Sequence, residues 1–124
     1  MQKVTGIGGV FFRSRDPEAL VKWYEQNLGI DISQRTWVQQ SGQTVFAPFA
    51  ENSEYFGRMT QQWMICFRVV DLQLMIDQLR AGGIEVIQKE EWNSEVGTFA
   101  RTHDPDGNPI ELWQPSERSA LIGG

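Results

Sequence analysis

The sequence has very little cysteine or histidine, and it has no long apolar run. Its 124 residues include one cysteine, Cys66, and one histidine, His103. A single cysteine excludes a disulfide within the chain and is typical of proteins from a reducing compartment. No apolar run is long enough to cross a bilayer, and the first residues lack the apolar core of a signal peptide. We therefore expect a cytoplasmic protein with no membrane partner.

Basic residues are also few relative to acidic ones. There are 11 lysines and arginines against 16 aspartates and glutamates, which gives a formal net charge of -5. Because nucleic acids and anionic membranes repel a negative chain, neither is expected as a partner. Aromatic residues, in contrast, are abundant, with 5 tryptophans and 7 phenylalanines in a chain of one-domain length. They fit either core and interface packing or an aromatic-lined pocket.

The clearest structural signal lies near the end of the chain. Residues 104–108 read Asp-Pro-Asp-Gly-Asn, which is typical of a tight turn because proline presets φ and glycine accepts a positive φ. Apolar segments on both sides predict a hairpin with strands over 98–103 and 109–114. In the second strand Glu111 and Trp113 share one face, and the other face is apolar. Glu111 is either a solvated residue on an outward face or the carboxylate of a shallow ligand cup.

Two amphipathic helices are predicted before this hairpin. Asp16 followed by proline is a helix start, and Gly29 is a helix end, so the first helix spans 17–28. Asp71 begins the second helix, which ends at Gly82. Further strands are predicted over 7–12, 30–40 as one bent strand or two short ones, 44–49, 63–70 and 84–88.

The two halves of the chain repeat one pattern of elements. Phe12-Arg13 recurs as Phe67-Arg68, 55 residues later, and so does the aspartate that begins each helix. Each half reads as a strand, a helix and then two or three strands. Because neither half alone can bury its apolar faces, the pattern predicts one domain built from two βαβββ modules.

Three stretches of this repeat are similar to a known family. They are Gly6-Ile7-Gly8-Gly9-Val10 leading into Asp16-Pro17-Glu18-Ala19-Leu20, Met64-Ile65-Cys66-Phe67-Arg68-Val69 leading into Asp71-Leu72, and Asp104-Pro105-Asp106-Gly107-Asn108 leading into Ile110-Glu111-Leu112. In order and spacing they resemble the glyoxalase, bleomycin-resistance and extradiol-dioxygenase superfamily, also called vicinal oxygen chelate proteins.

The resemblance implies an α+β fold and a division of the chain. Two βαβββ modules would form one eight-stranded, cup-shaped mixed sheet with the helices outside. Module one would span about 4–50, a linker 51–62 and module two about 63–115 of a single domain. The resemblance also implies a homodimer, and aromatic residues in polar surroundings, such as Tyr55 and Trp92, favour an interface at or near the linker.

The metal ligands that the resemblance implies are mostly replaced in this sequence. The expected ligand positions hold Gly9, Phe46, Met64 and Glu111, and of these only Glu111 is a good ligand. A catalytic metal needs about three protein ligands, and His103 adds at most one nitrogen. We therefore expect no cofactor. The alternative is a divalent metal such as Zn, Fe, Mn or Ni, held by Glu111 and His103.

Alternation along the strands predicts the lining of the cup, with Glu111 as the candidate catalytic residue. Arginines on this face suit a planar or partly anionic ligand, or else they are rim residues in ion pairs. The lone cysteine is either an inert small hydrophobe or a nucleophile activated by a neighbouring cation. The predicted ligand-binding residues are Phe11, Arg13, Phe46, Met64, Cys66, Arg68, Phe99, Arg101 and Trp113.

The resemblance implies binding of a small molecule in this cup without the standard metal site. The protein would then be a binder or a metal-independent enzyme. The alternative is a metal-dependent glyoxalase-type lyase or dioxygenase that uses Glu111. A third class is a structural or interaction domain, for which a cup filled by its own aromatic side chains would be evidence.

Overall fold

The structure, a computed structural model, describes residues 1–117. Within these residues a three-stranded sheet packs with two α-helices, so the α+β class is confirmed. Strand β3 lies in the middle of the sheet, parallel to β1 and antiparallel to β2. The elements in chain order are α1 (Pro17–Leu28), β1 (Ile65–Arg68), α2 (Leu72–Ala81), a 3-10 turn (Glu90–Trp92), β2 (Gly97–His103) and β3 (Pro109–Pro115).

Both helices begin and end where the sequence predicts. The side chain of Asp16 accepts a hydrogen bond from the backbone N–H of Ala19 at 3.2 Å, and Gly29 ends α1 with φ 70°. The side chain of Asp71 accepts from the N–H of Leu74 at 3.0 Å. Each cap satisfies an N–H group that has no partner inside its helix, and such a cap is worth about 1 kcal/mol. Within residues 1–117, no helix is both long enough and apolar enough to cross a membrane.

The hydrophobic core lies between the helices and one face of the sheet. Ile110 and Leu112 on β3 are fully buried, as is Ile76 on α2. The alternation predicted for β3 is therefore confirmed on its apolar face, and Glu111 lies on the opposite face. The buried cluster consists of Leu20, Tyr24, Leu72, Ile76, Leu79, Val86, Ala100, Ile110 and Leu112, with Phe67 packed against it.

The predicted turn between β2 and β3 fastens α1 to the sheet. Asp104 is 4% exposed and accepts hydrogen bonds from the backbone N–H groups of Asp106 and Asn108 at 2.9 and 3.0 Å. Its second oxygen accepts from the side chain of Asn108 at 2.8 Å and from the hydroxyl of Tyr24 at 2.7 Å. Burial and the bond to Asp104 raise the pKa of Tyr24, so its hydroxyl stays protonated and donates.

The strands predicted outside this sheet are not formed in the described part of the chain. Residues 1–16 and 29–64 contain bends and turns but neither helix nor strand. The segment 84–88 contributes only an isolated bridge between Ile87 and Arg101. Alternating side chains favour a strand, but a strand forms only beside another that accepts and donates its hydrogen bonds. The eight strands of the expected cup are therefore not confirmed, and three are present among residues 1–117.

Candidate functional site

Glu111 lies at the centre of the sheet face that points away from the core. It is the register partner of Cys66 on β1 and of Arg101 on β2. Because directly paired residues on neighbouring strands point to the same side, these three side chains share one face. Phe99 and Trp113 extend this face with rings that are parallel to within 3°, their centroids 6.1 Å apart. The structure thus brings together these five predicted site residues.

The hydroxyl of Tyr55 donates a hydrogen bond to the carboxylate of Glu111. Burial and this bond raise the pKa of Tyr55 to about 12, so the hydroxyl is protonated at neutral pH. Tyr55 comes from the segment 51–62, which the sequence assigned to a linker at an interface. In the structure the residue lies over the sheet face of its own chain.

Arg101 lies beneath Tyr55 and is almost completely buried. Its side chain is 7% exposed, and its guanidinium carbon lies 4.7 Å from the centroid of the Tyr55 ring and 5.5 Å from that of Trp92. Such cation–π contacts stabilise a guanidinium that has lost its water. Among residues 1–117 no carboxylate lies within salt-bridge distance of Arg101. Its Nε atom is buried and has no hydrogen-bond partner in this part of the chain.

Further aromatic rings hold Tyr55 in place. Phe49 stacks on the Tyr55 ring with centroids 5.6 Å apart, and it contacts Phe56 at 5.0 Å. Trp92 presents its ring edge-on to Tyr55 at 6.4 Å. These four residues, Phe49, Tyr55, Phe56 and Trp92, form what we call the aromatic cap over Arg101. Tyr55, Phe56 and Trp92 lie outside every predicted strand and helix. The only signal for them in the sequence was that they are aromatic residues in polar segments.

The thiol of Cys66 is held in its protonated form. Desolvation and the neighbouring Glu111 carboxylate raise its pKa, and the charge of Arg68 acts in the opposite direction. Because the thiolate is the nucleophile, a raised pKa makes the thiol unreactive at neutral pH. This supports the interpretation of Cys66 as an inert residue that packs beside Glu111.

Most of the remaining predicted site residues lie elsewhere. Phe11 and Arg13 line an open groove of about 640 Å³ with Gln61 and Trp63, and Glu111 is not part of its lining. Phe46 is 89% exposed. Met64 precedes β1 and is half-buried. The assignment of Phe11, Arg13 and Phe46 to a common cup depended on strands that the described chain does not form. Arg68, in contrast, is the register partner of Trp113 on the sheet face of Glu111, and it donates a hydrogen bond to the backbone oxygen of Gln40 at 3.1 Å.

The sequence of the chain matches the model of a known family over residues 6–112, which the model describes as the glyoxalase/bleomycin resistance protein/dioxygenase superfamily. The chain belongs to this superfamily. A search of curated protein sequences found no significant match.

Solved structures share the fold of this superfamily member. TnmS3, an antibiotic-binding protein from Streptomyces sp. CB03234, matches with a TM-score of 0.63 and 21% identity over 94% of this chain and 100% of its own. A protein from the mobile metagenome of V. pseudocholerae matches with a TM-score of 0.59 and 21% identity over 94% of this chain and 99% of its own. A protein described as glyoxalase family, from Bacillus anthracis, matches with a TM-score of 0.50 and 18% identity over 80% and 84%. At these identities the likeness shows a common fold only.

The residues of this superfamily member do not fit a divalent metal ion. Among residues 1–117 no group of three or more His, Cys, Asp or Glu side chains lies close enough together to hold one. His103 is exposed at the end of β2, where its register partner is Pro109 rather than Glu111. Desolvation and the nearby Arg101 lower the pKa of His103. Glu111 already accepts a hydrogen bond from the hydroxyl of Tyr55, so its carboxylate acts here as a hydrogen-bond acceptor.

Proposed function

We propose that this protein binds a planar, aromatic small molecule on the sheet face around Glu111 and Arg101, without the standard metal site of its superfamily. The observation that carries the proposal is the buried guanidinium of Arg101, which is flanked by aromatic rings and has no carboxylate partner among residues 1–117. A cation stripped of water and of ion pairs suits the face of a planar ring or an acceptor oxygen. Whether the ligand is only bound or also converted depends on Glu111, which is the candidate catalytic acid or base.

Polar and apolar groups converge here as they do in small-molecule sites. Ligand sites are largely apolar and aromatic and contain a few fixed polar groups. Phe99 and Trp113 supply the apolar wall, and Glu111 supplies an acceptor. One structure with the same fold is described as an antibiotic-binding protein. Binding of a small organic molecule is therefore compatible with the fold, and the chemistry of the ligand is argued from the residues of this chain.

Arg101→Met should abolish most of the affinity for aromatic compounds. A thermal-shift screen of planar aromatic compounds identifies those that raise the melting temperature of the wild type by binding its folded state. For these compounds we expect Arg101→Met to weaken binding by about tenfold or more, since a desolvated cation–π contact is worth about 2 kcal/mol. Removal of divalent metals with EDTA should leave the shifts unchanged.

Arg13→Met is the matched control because Arg13 lines the separate groove. It should bind the same compounds as the wild type does. Shifts that survive in Arg101→Met and disappear in Arg13→Met would move the site to the groove and contradict the proposal. Stoichiometric zinc, iron, manganese or nickel in the purified protein, lost in Glu111→Gln, would contradict the metal-free assignment.

We also infer that the protein is a homodimer in which the first module completes the expected eight-stranded cup. Large apolar residues outside the sheet, such as Phe11 at 95% exposed, Val38 and Phe46, lack a covering surface in the single chain. Exposed apolar groups in such number favour association. Within residues 1–117 no strand pairs with the outer edge of β1, so a further strand can pair there. Sedimentation equilibrium at micromolar concentration should give twice the chain mass of 14.2 kDa. A monomer mass under these conditions would contradict the dimer.

A further inference from the structure

We propose that the ring of Tyr55 occupies, within its own chain, the site of a hydroxylated aromatic ligand, and that such a ligand binds by displacing Tyr55. This inference rests on the proposed function and names the class of its ligand, a phenol. Tyr55 would then be both a stand-in for the ligand and a competitor that sets its affinity.

The contacts of Tyr55 are those that a phenol-binding site needs. Its hydroxyl donates to the Glu111 carboxylate, its ring lies over the Arg101 guanidinium at 4.7 Å, and the ring of Trp92 flanks it edge-on at 6.4 Å. A free phenol carries the same donor and the same ring, so it reproduces all three contacts. No feature of these contacts requires that the phenol belong to the protein.

The unpaired Nε of Arg101 is a second, independent observation. The residue is 7% exposed, and this nitrogen has no hydrogen-bond partner among residues 1–117. Leaving a buried donor unsatisfied costs about 1–3 kcal/mol, and proteins seldom leave one without a functional reason. The Tyr55 hydroxyl, which donates to Glu111, does not accept a hydrogen bond from this nitrogen. A phenol with an acceptor oxygen next to its hydroxyl supplies both, which makes it the better occupant of the site.

Tyr55 also lies in a segment that can move away from the sheet face. It lies in the segment 51–62, which contains turns but no helix or strand, and the residue is half-buried. Moving it therefore breaks no hydrogen bond of the sheet. Its backbone N–H bonds to the Ser53 side chain within the same segment, so the local turn can move as one piece. The core cluster on the other face of the sheet does not include it.

The experiment compares two probes of nearly the same shape by equilibrium dialysis. One is 2-naphthol, and the other is 2-methoxynaphthalene, which lacks the hydroxyl donor. We expect Tyr55→Ala to bind 2-naphthol at least about tenfold more tightly than the wild type, because the internal competitor is gone. It should bind 2-methoxynaphthalene at least about tenfold more weakly than 2-naphthol, since the Glu111 acceptor is then left unpaired. Adding Glu111→Leu should remove the preference for the naphthol.

Met59→Ala is the matched control because it removes a large apolar side chain, 55% exposed, from the same segment without opening space over Arg101. It should bind both probes as the wild type does. Tyr55→Leu removes the phenol but keeps an apolar side chain in the segment, and it should also gain affinity for 2-naphthol. Circular dichroism of both Tyr55 variants checks that they are folded. Unchanged affinity in both Tyr55 variants, or no binding to any variant, would overturn the inference. Equal affinity for the two probes that is lost in Arg101→Met would overturn it and leave the proposed aromatic binding intact.

Discussion

Replacing Asp104 by alanine is expected to lower the free energy of unfolding by about 3–5 kcal/mol, because each buried donor left without its acceptor costs about 1–3 kcal/mol. The carboxylate accepts four hydrogen bonds from Tyr24, Asp106 and Asn108. Alanine removes every acceptor at once and leaves the Tyr24 hydroxyl unpaired in the core. The turn that joins β2 and β3 and the contact between α1 and the sheet are weakened together.

Urea unfolding followed by circular dichroism measures this loss, and Asp106→Ala provides the comparison. Asp106 lies in the same turn, but its carboxylate pairs with the exposed Arg15 at 3.2 Å. Exposed ion pairs contribute about 0–1 kcal/mol, so this variant should remain close to the wild type. If the two aspartate variants lose the same stability, then the buried network is not what holds the turn.

Gly97→Ala is expected to be the most damaging glycine substitution, with a loss of at least about 3 kcal/mol from combined steric overlap and backbone strain. Gly97 has φ 143° at the start of β2. A Cβ atom there would lie 2.2 Å from the backbone oxygen of Gln114 and 2.7 Å from Nε1 of Trp113. That oxygen belongs to the central strand, so it cannot move away without disturbing the pairing of β2 with β3.

Gly83→Ala separates overlap from backbone strain. Gly83 also has a positive φ, 80°, but a Cβ there would meet open space. We expect it to cost only about 1–2 kcal/mol, the usual penalty for a left-handed alanine. Guanidinium unfolding gives both values, and the near-ultraviolet circular dichroism of Trp113 should change in Gly97→Ala alone. Equal losses in the two variants would mean that the contact with β3 relaxes freely.

The parts of the fold that the sequence predicted are those fixed by neighbours along the chain. The caps at Asp16 and Asp71 and the turn around Gly107 are local signals, since each acts through hydrogen bonds or dihedral angles a few residues away. The helices and the hairpin accordingly lie where they were predicted. The alternation of β3 also identified its apolar face, because only one register places Ile110 and Leu112 under the helices.

The remaining strands and half of the site depend on contacts that no local pattern encodes. Alternating residues around Phe11 and Phe46 were interpreted as strands, yet the described chain offers them no partner strand. Tyr55 meets Glu111 across 56 positions, and neither the spacing nor the neighbours of Tyr55 indicate that contact. An aromatic residue in a polar segment was the available signal. It was interpreted as a sign of an interface with a second chain, and its contact with Glu111 of the same chain was not predicted.

The position of β3 in the sheet has a consequence for how the protein is made. Both strand pairs of the sheet include β3, and β3 is the last strand within residues 1–117. During synthesis β1 therefore has no partner strand until residues 109–115 have emerged from the ribosome. Until then the apolar sides of α1 and α2 also lack the sheet on which they pack. Nascent chains whose β3 is still inside the ribosome expose apolar surface to other molecules. This is the condition under which nascent proteins aggregate or bind chaperones. A pause in translation that holds residues 109–115 inside the ribosome would lengthen that exposure, whereas a pause after they have emerged would not.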